Sequence, residues 1–188
     1  MTQRAEVIRE PGLRTRWHQW YRHADRNFVI QLGFDPAQVH SIPAFANALL
    51  FQPRVVGLWV LTGAVLESPA VFGSLALVLW SNALLPRWNP ITALHNRLTA
   101  HRPGVPMVPL APAPRRAAEA QAGTLAASIA VGLLIPAPGA ALGIEIFLGL
   151  AVAAVVVGRL CLGAIIYHLL RGRVELVRRA LPWNHEIV

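Results

Sequence analysis

Lysine is absent from this 188-residue chain, cysteine occurs once, and charged residues of any kind make up only 14% of it. The missing lysine means that all 17 basic residues are arginine, set against 9 acids for a net charge of +8. A lone thiol, Cys161, excludes an internal disulfide and any site built from several cysteines. Missing too are a Gly-rich phosphate loop, a nucleophile elbow and paired catalytic carboxylates, so the chain is expected not to be an enzyme. The opening stretch "MTQRAEVIREPGLRTRWHQW" lacks an apolar run and a small-residue cleavage site, which predicts that insertion relies on later segments.

What the chain does have is apolar: 55% hydrophobic residues and a mean hydropathy of +0.47, values that favour a membrane protein over a soluble domain. The arginines flank the apolar segments rather than lining one polar helix, so a positive-inside pattern accounts for them and nucleic acid is not an expected partner. Residues 1–43 form an Arg-rich cytoplasmic segment. Within it Leu13, Trp17, Trp20, Ala24 and Phe28 recur at helical spacing, with Gly33 as the stop and Asp35-Pro36 as a restart. Two readings stand for this amphipathic helix: it lies at an anionic membrane face, or it packs on the protein's own cytoplasmic loops.

Four apolar segments follow, with spans expected near 44–67, 69–86, 118–136 and 141–168. The stretch from Val55 to Leu66 measures only roughly 18 Å as a helix against a hydrocarbon core of about 30 Å. The first span is therefore expected to enter earlier, through "AFANALLF", with a kink at Pro53 and with Gln52 and Arg54 near the inner interface. A partly re-entrant first hairpin is the alternative. The turns "ESP" and "PAPGA" carry no basic residue, whereas the N-terminus, the 87–117 loop and the 171–188 tail hold nearly all the arginines. The expected fold is thus all-α and polytopic: four transmembrane helices as two hairpins in the bacterial inner membrane, with both termini cytoplasmic and an amphipathic N-terminal helix. In the central loop Pro103, Pro106, Pro109 and Pro112 repeat every third residue, as in a polyproline II strand, which suits a stiff linker or a docking strip.

The second half carries a recognisable pattern: "PRVVGLWVLTGAVLESP", "NPITALHNRL", "APAPRRAAEAQAGTL" and "RLCLGAIIY". Over roughly residues 53 to 170 it resembles the DUF4395 family of small four-helix bacterial inner-membrane proteins, whose function is undefined. The resemblance implies two cysteines three apart and then a tyrosine in the last span; here those positions are Cys161, Ala164 and Tyr167. Dithiol exchange needs a resolving partner that this chain lacks.

Among candidate site residues, Cys161 shares a helical face with Ala154 and Gly158, a small-xxx-small pair that lets membrane helices approach closely. All three are expected to serve helix packing, and Trp17, Trp20 and Phe28 to supply contacts to neighbours; Trp59, Trp80, Trp88 and Trp183 are further contacts or interface anchors. Charges expected at the membrane interfaces are Arg54, Glu67, Glu145 and Arg159. An arginine at mid-bilayer costs about 2.5–3.5 kcal/mol, so Arg159 should snorkel to the inner boundary or meet a partner. Glu67 and Glu145 belong near the outer boundary, where a close approach would be the basis for an ion or proton path. Seven histidines show no i, i+3 or i+4 pairing, so no metal site is expected; only His168 offers itself as a pigment or haem ligand, against an interfacial side chain solvated by headgroups. No cofactor is expected beyond bound lipid, with pigment or haem contact only through a partner subunit. The function expected from all this is a non-catalytic accessory or scaffolding subunit of a larger membrane assembly, respiratory or photosynthetic, whose partners are other membrane subunits and the bilayer. A thiol-redox protein using Cys161 and a small transporter or channel are the alternatives.

Overall fold

The computed structural model describes residues 13–135 and 138–184, with the side chains of residues 13–19 and 138 excepted. The described residues form helices and turns, with no strand. Helix α1 spans Leu13–Gln31, α2 Ile42–Leu49, α3 Phe51–Leu66, α4 Pro69–Leu84 and α5 Pro90–Thr99. After the central loop come α6 (Ala113–Leu134), α7 (Pro138–Val156), α8 (Leu162–Leu170) and α9 (Val174–Ala180).

Helix ends follow local chemistry. Helix α1 runs out at Gly33, whose φ of +84° suits glycine, and Asp35 caps the next short turn by accepting from the Ala37 amide at 2.9 Å. The interruption between α2 and α3 falls at Leu50, just before Pro53, which has no amide hydrogen and crowds the carbonyl of Leu49. The entry through "AFANALLF" is thus helical, and Ile42–Leu66 reads as one kinked rod long and apolar enough to cross a membrane. Glu67 closes α3 in the left-handed region, with the Ser68 amide reaching back to the Gly63 carbonyl at 3.1 Å. Ser68 with Pro69 and Asn89 with Pro90 then start α4 and α5.

Four helices form a ring: α3 packs on α4, α4 most extensively on α6, α6 on α7, and α7 back on α3. Its core is Val56, Val60, Phe72, Leu75, Leu79, Ile129 and Leu148. Three candidates for crossing a membrane lie in it: Ile42–Leu66, Ala113–Leu134 and Gly139–Val156; α4 is apolar but has 16 residues, roughly 24 Å. A second core, built from Phe28, Val29, Leu32, Phe45, Leu49 and Ala164, joins α1, α2 and α8 over one end of the ring.

Several expectations change. Helix α6 starts at Ala113 rather than 118, which brings Arg115 and Glu119 into its first turns. The fourth apolar run is not one helix to 168: α7 stops at Val156, residues 157–161 turn, and α8 begins after Cys161. The reason is visible at Gly158, where an added Cβ would lie 2.8 Å from the Ala154 carbonyl oxygen, and at Arg159, which sits at φ +57°. Ala154 and Gly158 therefore close a turn; they are not a helix-packing pair with Cys161. Helix α1 is no peripheral stripe along its described half: Ala24 and Phe28 are fully buried, so packing on the protein's own elements is the reading that holds there. The C-terminal tail joins in, since α9 packs on α1 and α8, and Asn27 Nδ2 donates to the carbonyls of Leu181 (2.7 Å) and Asn184 (3.1 Å). Residues near the two ends of the chain thus pack together.

Candidate functional site

Beneath the α1 cap lie two buried polar clusters. The first is nucleated by Gln31, whose side chain is fully buried at the end of α1. Its Nε2 donates to the Ala180 carbonyl (2.7 Å) and the Arg159 carbonyl (3.2 Å), and its Oε1 accepts from the Cys161 amide at 2.8 Å. Its own carbonyl meets His168 Nε2 at 3.0 Å. One residue thereby satisfies the open backbone of the 157–161 turn, which would otherwise leave a buried donor and acceptor unpaired. Beside it Arg159 Nε contacts Asp25 Oδ1 at 2.7 Å, its Nη1 donates to the Val156 carbonyl, and its guanidinium lies over the Tyr21 ring. Burial pushes the Asp25 carboxyl above its ordinary value, against the hydrogen bond and charge of Arg159.

The second cluster sits at the start of α6. Arg115 Nη2 donates to Gln52 Oε1 (2.6 Å) and Thr92 Oγ1 (3.2 Å), and Arg115 Nε lies 3.3 Å from Glu119 Oε1. Gln52 Nε2 donates to the same carboxylate oxygen at 2.8 Å, and Asn89 Nδ2 reaches Gln52 Oε1 at 3.3 Å. A guanidinium and a carboxylate at i and i+4 neutralise one another, and Gln52 bridges them to α3, so burial of the charges is offset by pairing. The compensation is incomplete: Arg115 Nη1 and Glu119 Oε2 are buried without a hydrogen-bond partner. Near by, Phe51 stacks on His95 at a centroid distance of 5.1 Å, and burial holds His95 below its ordinary pKa, opposed by a bond to the Pro106 backbone.

Between the clusters is a cavity of about 130 Å³, lined by Gln52, Arg115 and Glu119, by Cys161 from the turn, and otherwise by apolar residues of the ring and of the α1, α2 and α8 segments. The sequence reading missed Gln52, Arg115 and Glu119 as a group. The signal was present, since "RRAAE" puts opposite charges four apart at the head of an apolar helix, but nothing local shows that they point inward.

The residues singled out from sequence disperse. Trp20 is half-buried, its ring edge-on to Tyr21 at 4.8 Å, while the Trp17 side chain lies outside the described residues. Phe28 is buried inside the chain and presents no surface to a neighbour, a correction to its expected contact role, whereas Cys161 is buried in the core beside Ala164. His168 is 2% exposed, so it is a buried partner of the Gln31 backbone and not solvated by headgroups. His185 lies outside the described residues; among the described ones no group of three His, Cys, Asp or Glu side chains could hold a metal. Gln52 is buried where an interfacial position was expected, because it serves the Arg115–Glu119 pair. Arg54 is exposed and reaches Asn47 Oδ1 at 3.4 Å, and Arg159 does meet a partner, Asp25. Glu67 and Glu145 are near enough to feel each other's charge, with Glu67 exposed and Glu145 half-buried. The proline strip is tied down by Asn96, which donates to the Val108 carbonyl (3.0 Å) and accepts from its amide (2.9 Å).

Compared with known proteins, residues 46–172 match the model of a domain of unknown function, DUF4395. No curated protein and no solved structure matches the chain.

Proposed function

The chain belongs to the DUF4395 family, and from that premise we propose that it is a four-span protein of the bacterial cytoplasmic membrane, both ends cytoplasmic, serving as a non-catalytic accessory subunit of a larger membrane assembly. The observation that carries this reading is the outward apolar face of the ring. Leu58, Leu61 and Val65 on α3, Leu77 on α4, Val131 and Leu134 on α6, and Leu142, Ile146 and Leu150 on α7 are each more than half exposed. Such a girdle is insoluble in water and suited to lipid or to the helices of another subunit. The packing of α1 against α9 supports placing both ends on one side, and the arginines of that side supply the positive-inside asymmetry. Trp88 and Trp183, 78% and 59% exposed, offer aromatic surface there for a neighbour.

The test is extraction of the native membrane with a gentle detergent or polymer, followed by native sizing and mass spectrometry of the tagged chain. Other membrane subunits in fixed ratio are expected. Recovery of only a monomer or homo-oligomer overturns the accessory role, and reporter fusions placing the two termini on opposite sides overturn the four-span topology.

A redox reading is favoured by one observation, that Cys161 is among the residues lining the internal cavity. With no second cysteine in the chain it needs an external thiol. Loss of an oxidative phenotype in Cys161→Ser, with the protein level unchanged, is the outcome that would support it.

A further inference from the structure

We infer that the groove between α3 and α7 receives a transmembrane helix of another protein, and that this helix brings a basic side chain to Glu145. The inference rests on the accessory-subunit reading and adds to it the docking surface and the chemistry of the partner.

The groove measures about 390 Å³ and is lined by α3 from Gly57 to Ala64 and by α7 from Leu142 to Val152. On α3 that is roughly 10 Å, enough for two turns of a helix laid along it. Its lining mixes small residues, Gly57, Ala64 and Gly149, with Leu61 and Ile146, which stand 60% and 56% exposed. Membrane helices approach most closely where the facing residues are small. At Gly149 an added Cβ would meet nothing within 4 Å, and the backbone there is ordinary helix. Nothing in this chain's own packing calls for a glycine at that point, although glycine weakens a helix relative to alanine. A backbone arriving from outside does call for one.

Charge selects the occupant. Glu145 is a carboxylate in a groove whose other lining residues are all apolar. It stands seven residues from the Pro138 end of α7 and eleven from Val156, roughly 10 Å along the helix. Among the described residues no ion pair includes it, and the charge that acts on it is that of Glu67, which repels. An unpaired carboxylate inside a span is costly, and such groups ordinarily find a partner.

This chain cannot supply the cation. No arginine or histidine lies between Arg54 and Arg87 or between Arg116 and Arg159, and lysine is absent. A second copy in the same orientation has the same gap at this depth, so a homodimer leaves Glu145 unpaired. Lipid tails leave it unpaired too, and a lipid ammonium group belongs at the headgroup level, above a carboxylate set this far along the helix. A helix from a different protein, carrying arginine, lysine or histidine, meets both the shape and the charge.

The test places a photo-crosslinking residue at position 146 of the tagged full-length chain in its native membrane and reads the joined peptides by mass spectrometry. The expected crosslink is to a transmembrane segment of one other protein, with a basic residue within a turn of the joined position. Glu145→Gln is expected to lower its yield about tenfold. Gly149→Leu, which fills the groove, is expected to abolish it. Glu145→Arg is expected to abolish it as well, and exchange of the partner's basic residue for glutamate to restore it. Glu145 and Gly149 line an outward groove, so these variants are expected to keep wild-type levels and elution; where one does not, the other decides. Crosslinks only to lipid, to a second copy or to a helix without a basic residue overturn the proposal, as does a yield that neither variant changes. If other subunits still copurify in fixed ratio, the groove assignment alone falls and the accessory reading stands; if none copurifies, both fall.

Discussion

Asp25 and Arg159 are 134 residues apart in sequence and 2.7 Å apart in space, both within a tenth of full burial. The pair fastens α1 onto the turn that splits the fourth apolar run. That turn places Arg159 at φ +57°, a region costing an ordinary residue roughly 1 kcal/mol or more. The arginine holds this conformation while its Nε meets Asp25 and its Nη1 meets the Val156 carbonyl.

Removing one member of the pair strands the other. Asp25→Leu is expected to cost about 3–5 kcal/mol, because the Arg159 charge stays buried. Adding Arg159→Gly in the same chain should recover most of that loss, since glycine adopts the positive φ freely and leaves no charge behind. Heating of detergent-solubilised protein followed by size-exclusion recovery gives the ranking. A double variant no more stable than Asp25→Leu would show that the ion pair is not what holds the cap.

Gln31 has no near-isostere that can make its bonds. Gln31→Leu keeps volume but leaves the Cys161 amide and the Ala180 carbonyl without their partner, at an expected cost of about 2–4 kcal/mol. Gln31→Glu keeps the acceptor but sets a buried carboxylate against the Ala180 and Arg159 carbonyls, so near neutral pH it should cost at least as much. The same thermal recovery assay orders the three proteins.

Burial keeps the folded-state pKa of His95 below its ordinary value of 6.5. The unfolded chain therefore takes up the proton first as pH falls. The contribution to stability is intact above pH 6.5 and is lost on acidification below it. Wild type should lose more unfolding temperature than His95→Gln between about pH 7.5 and about pH 5.5. Parallel pH profiles for the two would contradict the assignment.

Two glycines in the apolar half should respond in opposite ways. At Gly163 an added Cβ would meet Ala118 Cα at 2.7 Å, so Gly163→Ala forces α8 away from α6 at an expected cost of about 1–3 kcal/mol. At Gly143, within α7, a Cβ meets nothing within 4 Å, and Gly143→Ala should be neutral or stabilising by about 0.5–1 kcal/mol. Thermal unfolding in nanodiscs separates the two.

Much of the helical layout was legible because it depends on neighbours along the chain. The stop of α1 before Gly33 follows from a glycine. The interruption ahead of Pro53 follows from a missing amide hydrogen, and the starts of α4 and α5 from Ser68, Asn89 and the prolines behind them. Apolar length marked out the ring helices, since a run of apolar residues is its own evidence.

What only the tertiary structure decided is which polar groups face inward. Arg115 and Glu119 stand four apart at the head of an apolar helix, and only Gln52, 67 residues from Glu119, shows that they face inward. The lone cysteine likewise read as one more small residue on a helix face. The helix breaks before it because Asp25 and Gln31, more than a hundred residues upstream, reward the broken form with an ion pair and backbone bonds. Local propensity is summed over a few residues, whereas burial of a charge is settled by whatever the fold brings opposite it.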